Sequence, residues 1–254
     1  MNISKFCEYS ETDGTPMVFV LSHDQDSLDF AKQSYASYHW AHIYVLYSTY
    51  MFETYFYTNI LESLMDAANH TTDWVGSISY RADEKTYRSS IDNMLNDKTL
   101  VRDGYDVLGF WAPISLGDSV KEHSRWYHPG LMEIMDYALL SVGETQENVT
   151  RMGDPSHIFK AFYGTYFVCR PVLMRQYISW LTRVVIFINT DVKAQKMLWK
   201  NSHYFGSASE KLFNLPYYPL HPFVGERLSI YFFNTRGAKI ALMNPDDGSY
   251  PWKF

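Results

Sequence analysis

Met17–Ser27 reads MVFVLSHDQDS: a short apolar run, a polar turn, and the opening of a helical pattern that continues towards Tyr38. An apolar run of this length, rich in Val and Phe and closed by turn residues, is a buried strand. Ser27 is the N-cap that the pattern predicts, with Asp29 favourable in the first turn. The same alternation then repeats along the chain. His42–Tyr47 (HIYVLY) is a second strand, followed by a helix over Phe52–Ala68 with Phe52, Tyr55, Phe56, Ile60 and Leu64 near one face. Asp73–Tyr80 (DWVGSISY) is a third strand, the ADEK turn leads to a helix around Tyr87–Leu95, and Tyr105–Trp111 (YDVLGFW) is a fourth strand. Strands that alternate with helices predict an α/β fold: a mainly parallel central sheet with helices on both faces. Such sheets bind ligands at the carboxyl ends of their strands, which here carry SHDQDS, SYRADEK and the API loop after Trp111.

From Ala112 onward the texture changes. Pro129 opens a helix in which Leu131, Ile134, Met135, Ala138 and Leu139 form one apolar stripe. The polar segment Gly143–Pro155 is the expected mobile lid. Two later stretches share one grammar, FYGTYFVCRPVLMRQYISWL (Phe162–Leu181) and YYPLHPFVGERLSIYFF (Tyr217–Phe233). In each, an aromatic run meets a proline and a helix follows, because Pro171 and Pro222 stand where a fixed φ and a missing N–H cost least. Ala238–Met243 is expected to add a final edge strand, and no repeat or linker divides the 254 residues, so one domain is expected.

Composition excludes several classes. A net charge of −6 argues against an extended nucleic-acid surface, which needs a clustered positive field. GxGxxG, the P-loop, HExxH, paired CxxC and G-x-S-x-G are all absent, which removes the strongest nucleotide, zinc and serine-hydrolase signatures. No apolar run has membrane-span length, so no transmembrane segment is expected. Cys7 and Cys169 are too few for a disulfide framework, and MNISKFCEYSETDG lacks the apolar core of a secretory signal. Both point to a cytoplasmic location, and the sequons at Asn69 and Asn148 then read as chance matches. Aromatic residues make up 17% of the chain, an amount that serves core filling and also flat ligands such as sugars and bases.

Several side chains stand where chemistry is possible. Asp24 and Asp26 form a D-x-D after the first strand, and spaced carboxylates of this kind either share a divalent ion such as Mn or Mg or serve as turn and capping residues. Arg81 follows a strand end, where a guanidinium either forks a phosphate pair or bridges on the surface to Asp83 or Glu84. In HSRWYHP, His123 and His128 bracket Arg125, Trp126 and Tyr127, which makes either a ligand lip or a polar helix junction. Glu226 and Arg227 lie near a helix start beside His221, in apolar surroundings that raise a carboxyl pKa and suit a general base. Adjacent positions on a helix point about 100° apart, so the two are not expected to face each other. A capping role for Glu226 and a loop bridge for Arg227 is the plain structural alternative.

Five segments, in order, carry a resemblance: WVGSISYR (Trp74–Arg81), GYDVLGF (Gly104–Phe110), WYHPGLMEIMDYAL (Trp126–Leu139), YGTYFVCRPVLMRQYISWL (Tyr163–Leu181) and HPFVGERLSIYF (His221–Phe232). Together they resemble the capsular-polysaccharide-type glycosyltransferases of GT-A-like fold, and the similar single-domain enzymes encoded by large DNA viruses. SYRADE stands where that group reads HYRR, and Thr165 and Tyr166 stand where Asn and Met are usual. The resemblance implies transfer of a sugar from a UDP- or GDP-type donor to a glycan hydroxyl, with inversion, in a host cytoplasm if the source is viral. On this reading about 1–112 is the nucleotide half, with Ser22, His23, Asp24, Arg81 and Asp83 at the donor. About 113–254 is the acceptor half, with Trp126, Tyr127, His128 and Tyr163 on the sugar. Glu226, His221 and Arg227 carry the chemistry, and Arg81, His128 and Arg227 are the basic substitute for a metal at the diphosphate. The competing readings are a nucleotide-diphosphate hydrolase and a catalytically degenerate carbohydrate- or nucleotide-binding protein.

Overall fold

The computed structural model describes residues 14–47, 51–68, 72–111, 119–154, 160–204, 213–244 and 246–251. The API loop, the Asn69 sequon and Cys7 lie outside the described residues. Among the described residues six strands form one mixed sheet: β1 (Met17–Ser22), β2 (Ala41–Val45), β3 (Val75–Ser79), β4 (Val107–Gly109), β5 (Phe167–Cys169) and β6 (Ile240–Leu242), in the order β2-β1-β3-β5-β4-β6. The four strands expected from the alternation all join this sheet, and the run expected at Ala238–Met243 becomes β6 at its edge.

Strand alternation sorts the core into two layers. Met17, Phe19 and Leu21 enter one cluster, while Val18 and Val20 enter the other, because successive side chains of a strand point to opposite faces. Helices α1 (Gln25–Tyr35), α4 (Arg88–Asn96) and α5 (Lys98–Arg102) cover the second layer. The first is covered by α2 (Glu53–Asn59), α3 (Leu61–Ala68), α7 (Leu131–Ser141), α9 (Pro171–Thr190), α10 (Val192–Leu198) and α11 (His221–Thr235). In α9, Met174, Tyr177, Ile178, Leu181, Val184, Val185 and Ile188 recur at helical spacing on the buried face, with Pro171 at the first helical position.

Strand direction departs from expectation. β1 pairs parallel with β2 and β3, and β4 with β6, but β5 lies antiparallel between β3 and β4. After β4 the chain passes through α6 (Val120–Tyr127), α7 and α8 (Gln146–Arg151), then returns to the end of the sheet that it left. Tyr163 N donates to Trp111 O at 2.9 Å there. A strand that starts at the carboxyl end of its neighbours can only run backwards. Gly164 (φ 68°) and Thr165 (φ 57°) make the reversal, in the left-handed region that costs a residue with a Cβ. The two sequence halves therefore interleave in one sheet.

Two local expectations are corrected. Helix α1 begins earlier than predicted, with Asp24 as its cap: Asp24 Oδ1 accepts from Ser27 N at 2.9 Å and Ser27 Oγ accepts from Asp24 N at 2.9 Å. The helix expected over Phe52–Ala68 is two, broken at Ile60.

The expected lid is anchored rather than mobile over its described part. Thr145 caps α8, accepting from Asn148 N, and Glu144 accepts from Trp180 Nε1 (2.8 Å), Tyr231 OH (3.0 Å) and Arg236 Nη2 (2.7 Å). Burial alone would raise the Glu144 carboxyl, but these donors outweigh it and hold the group below its ordinary 4.5. A carboxylate lowered by folding contributes stability above its unfolded value and loses it as the pH falls through the folded value. Glu144→Ala should therefore cost about 2 kcal/mol at pH 7, the scale of hydrogen bonds to a charged group. Urea midpoints of variant and wild type should converge as the pH falls below about 4.5. A gap independent of pH would show that the carboxylate charge plays no part.

Candidate active site

The carboxyl ends of β1, β3 and β4, together with the start of reversed β5, bring a set of aromatic and charged groups to one edge of the sheet. At the end of β1, Ser22 Oγ donates to Tyr44 O at 3.2 Å. The His23 ring lies edge-on to Phe52 (5.5 Å) and Tyr80 (6.1 Å). Burial lowers the His23 pKa, against the opposing charge of Asp24, so the imidazole is neutral at pH 7. Phe52 immediately precedes Glu53, so the end of β1 abuts the start of α2.

Helix α11 approaches α2 through a glycine. A Cβ at Gly225 would stand 2.0 Å from Thr54 Oγ1, a spacing that no larger residue allows without a shift. This contact brings the flanking Glu53 and Glu226 within electrostatic reach of each other. The Glu53 carboxyl is raised to about 7: burial is the main cause, a hydrogen bond from its own backbone lowers it, the Glu226 charge raises it and Lys85 lowers it. Lys85 Nζ lies over the Trp111 ring at 4.3 Å and the Tyr166 ring at 5.5 Å.

Glu226 and Arg227 do meet, contrary to the expectation from helical spacing. The guanidinium folds back so that Nη1 donates to Glu226 Oε2, which the length of an arginine side chain permits. Arg227 is among the largest fully buried side chains, at 1% exposure. It lies 4.6 Å from the Tyr163 ring centroid, and its Nε donates to Ser124 Oγ at 3.4 Å. Tyr163 in turn meets His123 at 4.7 Å, and His123 meets Tyr127 at 4.6 Å. His128 stacks on Phe223 at 3.7 Å, with Nδ1 against Ser202 O at 3.2 Å. Burial first, and then the Arg227 charge, lower His123 to about 4 and His128 to about 3, so both rings are neutral at pH 7.

The structure thus brings together Glu226, Arg227, Tyr163, His128 and, through His123, Tyr127. Trp126 and Tyr127 are 84% and 62% exposed on α6, open to an incoming ligand. His221 lies earlier on α11, edge-on to Trp199 at 4.5 Å, with its pKa lowered to about 4 by burial. Arg81 donates to Glu84 at 2.7 Å from a side chain that is 57% exposed, and Asp83 bridges to Arg88 at 3.4 Å. Asp24 gives a carboxylate oxygen to the helix cap, and Asp26 is exposed in the first turn. Among the described residues no group of three or more His, Cys, Asp or Glu is placed to hold a metal ion. No described helix is long and apolar enough to cross a membrane.

Sequence reading missed Glu53, Lys85 and Ser124. Glu53 had a legible signal: an acid in the aromatic run YMFETYF, opening a helix just after the second strand, at the kind of strand end where ligands bind. Ser124 had none, because its role depends on the arrival of Arg227 from α11. In comparisons with known proteins, no family model, no curated protein and no solved structure matches this chain.

Proposed function

We propose that this protein is a glycosyltransferase of GT-A-like fold that moves a sugar from a nucleoside-diphosphate donor to a glycan hydroxyl. The observation that carries the reading is one cluster at the carboxyl end of the sheet. It holds two carboxylates (Glu53 and Glu226) and two cations (Lys85 and Arg227), walled by Trp111, Tyr163 and Tyr166. A transfer of this kind needs a proton acceptor, positive charge for the departing diphosphate, and flat faces for sugar rings. The described residues supply all three. The nucleoside is placed at His23, Tyr80 and Phe30, whose rings form an edge-to-face series beside the end of β1. The diphosphate lies towards Arg81, Lys85 and Arg227. The acceptor comes across Trp126 and Tyr127. The D-x-D gives no support for a metal-held diphosphate, since Asp24 is engaged as a cap.

Thermal shift with a panel of nucleotides, nucleotide sugars and free glycans tests the reading. A ligand that binds only the folded state stabilises it by about 2.7 kcal/mol at a hundred times its Kd. UDP or GDP and one of their sugars should raise Tm, and that sugar should be transferred to a glycan. A response to free glycans with none to nucleotides would overturn the proposal. Arg81→Ala should weaken binding of the diphosphate by about 1–3 kcal/mol, the scale of a charge-assisted contact. Its exposed pair with Glu84 contributes little, so stability should change by less than about 1 kcal/mol. Unchanged affinity in calorimetry would return Arg81 to the surface.

A further inference from the structure

A groove of about 430 Å³ runs between α9 and the end of α11, a volume within the range of small-molecule sites. Its base is apolar: Trp180 and Phe232, both almost fully buried, meet at 5.1 Å between ring centroids. Arg175, Ser179 and Arg183 follow one another on successive turns of one face of α9, with Gln176 beside them, and Arg236 enters from α11. Guanidiniums and neutral hydrogen-bonding groups therefore line the groove, with no carboxylate among its described lining residues, on a protein whose net charge is −6. Two of the arginines are held by acids that stand outside the lining. Arg175 pairs with Asp66 at 2.7 Å and Glu62 at 3.7 Å, both on α3, and Arg236 pairs with Glu144 at 2.7 Å. Arg236 also lies over the Phe232 ring at 5.3 Å. Arg183 is exposed and has no hydrogen bond or ion pair among the described residues. Its charge is uncompensated there, and the apolar base beneath it focuses the field into the groove. The groove is remote from the candidate active site, because Arg236 lies about 15 Å beyond Glu226 along the axis of α11, just before β6.

From this arrangement we infer that the groove is a second binding site, for a small molecule that carries two or more phosphate groups. A guanidinium presents paired N–H donors that match phosphate oxygens. Arg175 and Arg183 stand about 12 Å apart along α9, more than one tetrahedral anion spans, so a single phosphate meets only one end of the groove. A chain of phosphates starts at Arg183, passes the Ser179 hydroxyl and the Gln176 amide, and reaches Arg175 or Arg236. The acid partners hold those two arginines in place, so less side-chain freedom is lost when the ligand arrives. Arg183 supplies the net attraction. The site stands or falls apart from the glycosyltransfer reading.

Calorimetric titration of the full chain with inorganic tripolyphosphate tests the site, with orthophosphate and sulfate as single anions. Tripolyphosphate should bind saturably, about tenfold or more tightly than either single anion, and more weakly as salt rises. Arg183→Gln should lower that affinity about tenfold, the loss of one charge-assisted contact at an exposed position, with the ligand-free Tm unchanged. Arg183→Lys, which keeps the charge without the fork, should recover part of the loss. Lys196→Gln removes an equal charge from an exposed position of α10 outside the groove, and should leave the affinity within about twofold. In NMR, the Nε–Hε signal missing from Arg183→Gln identifies Arg183, and it should move as tripolyphosphate is added to the wild type. Equal losses in Arg183→Gln and Lys196→Gln would reduce the effect to overall charge and overturn the site. A loss in Arg81→Ala with none in Arg183→Gln would put the anion at the donor edge, which overturns the second site and leaves the donor reading standing. Absence of saturable binding, or equal affinity for orthophosphate and tripolyphosphate, overturns it as well.

Discussion

Arg227→Met should destabilise the protein by about 3 kcal/mol, near the lower end for breaking a buried ion pair because Glu226 still reaches water. The methionine keeps most of the apolar stem, so the loss reports the charge rather than an empty volume. Arg227 is buried against the Tyr163 ring and donates to both Glu226 and Ser124. Without it, Lys85 is the cation among the described residues that acts on Glu53 against the like charge of Glu226. The double variant Arg227→Met with Glu226→Gln should recover much of the loss, since a neutral pair has no stranded charge. Urea unfolding of the four proteins gives the coupling. Additive losses, or a cost for Arg227→Met under about 1 kcal/mol, would show that the pair contributes nothing. A second readout is independent of stability. The pKa values of His123 and His128 should rise when the guanidinium is removed, yet stay below 6.5, because burial is the larger cause of their depression.

Gly76→Ala should cost about 3 kcal/mol or more, at or beyond the usual limit of overpacking. Gly76 sits in β3 opposite Val168 of β5. A Cβ there would stand 2.1 Å from Phe167 O and 2.8 Å from Val168 Cα, both of them backbone atoms of a neighbouring strand that is held on its other side by β4. Neither can rotate away. At about 2–4 °C per kcal/mol for a domain approaching this size, Tm should fall by about 6–12 °C. Gly225→Ala provides the contrast, because its obstacle is the Thr54 hydroxyl, a side-chain group that a Thr54→Ala partner removes. A Gly76→Ala protein with unchanged Tm would mean that β5 does not pair with β3.

Much of the frame is local and was therefore legible. Met17–Leu21, His42–Tyr47, Val75–Ser79 and Val107–Gly109 alternate with helical patterns, so one sheet with helices on both faces follows from periodicity and chain connectivity. Proline in the first helical turn marked the starts of α9 and α11 for the same reason: the cost of a missing N–H depends only on the position itself. The direction of β5 was not legible, because the pattern of three apolar residues reads the same both ways. It was decided by the return of the chain to Trp111. The lid expected at Gly143–Pro155 looked mobile because it is polar. Its Glu144 is held by donors on α9 and at the end of α11, remote in sequence. At the site, residue types pointed to Glu226, Arg227 and Tyr163, while the electrostatic coupling of Glu226 to Glu53 arises where α2 and α11 cross at Gly225. Sequence determines the terms that act within a turn or a strand. Which charges share a dielectric environment is settled only when elements remote in the chain pack together.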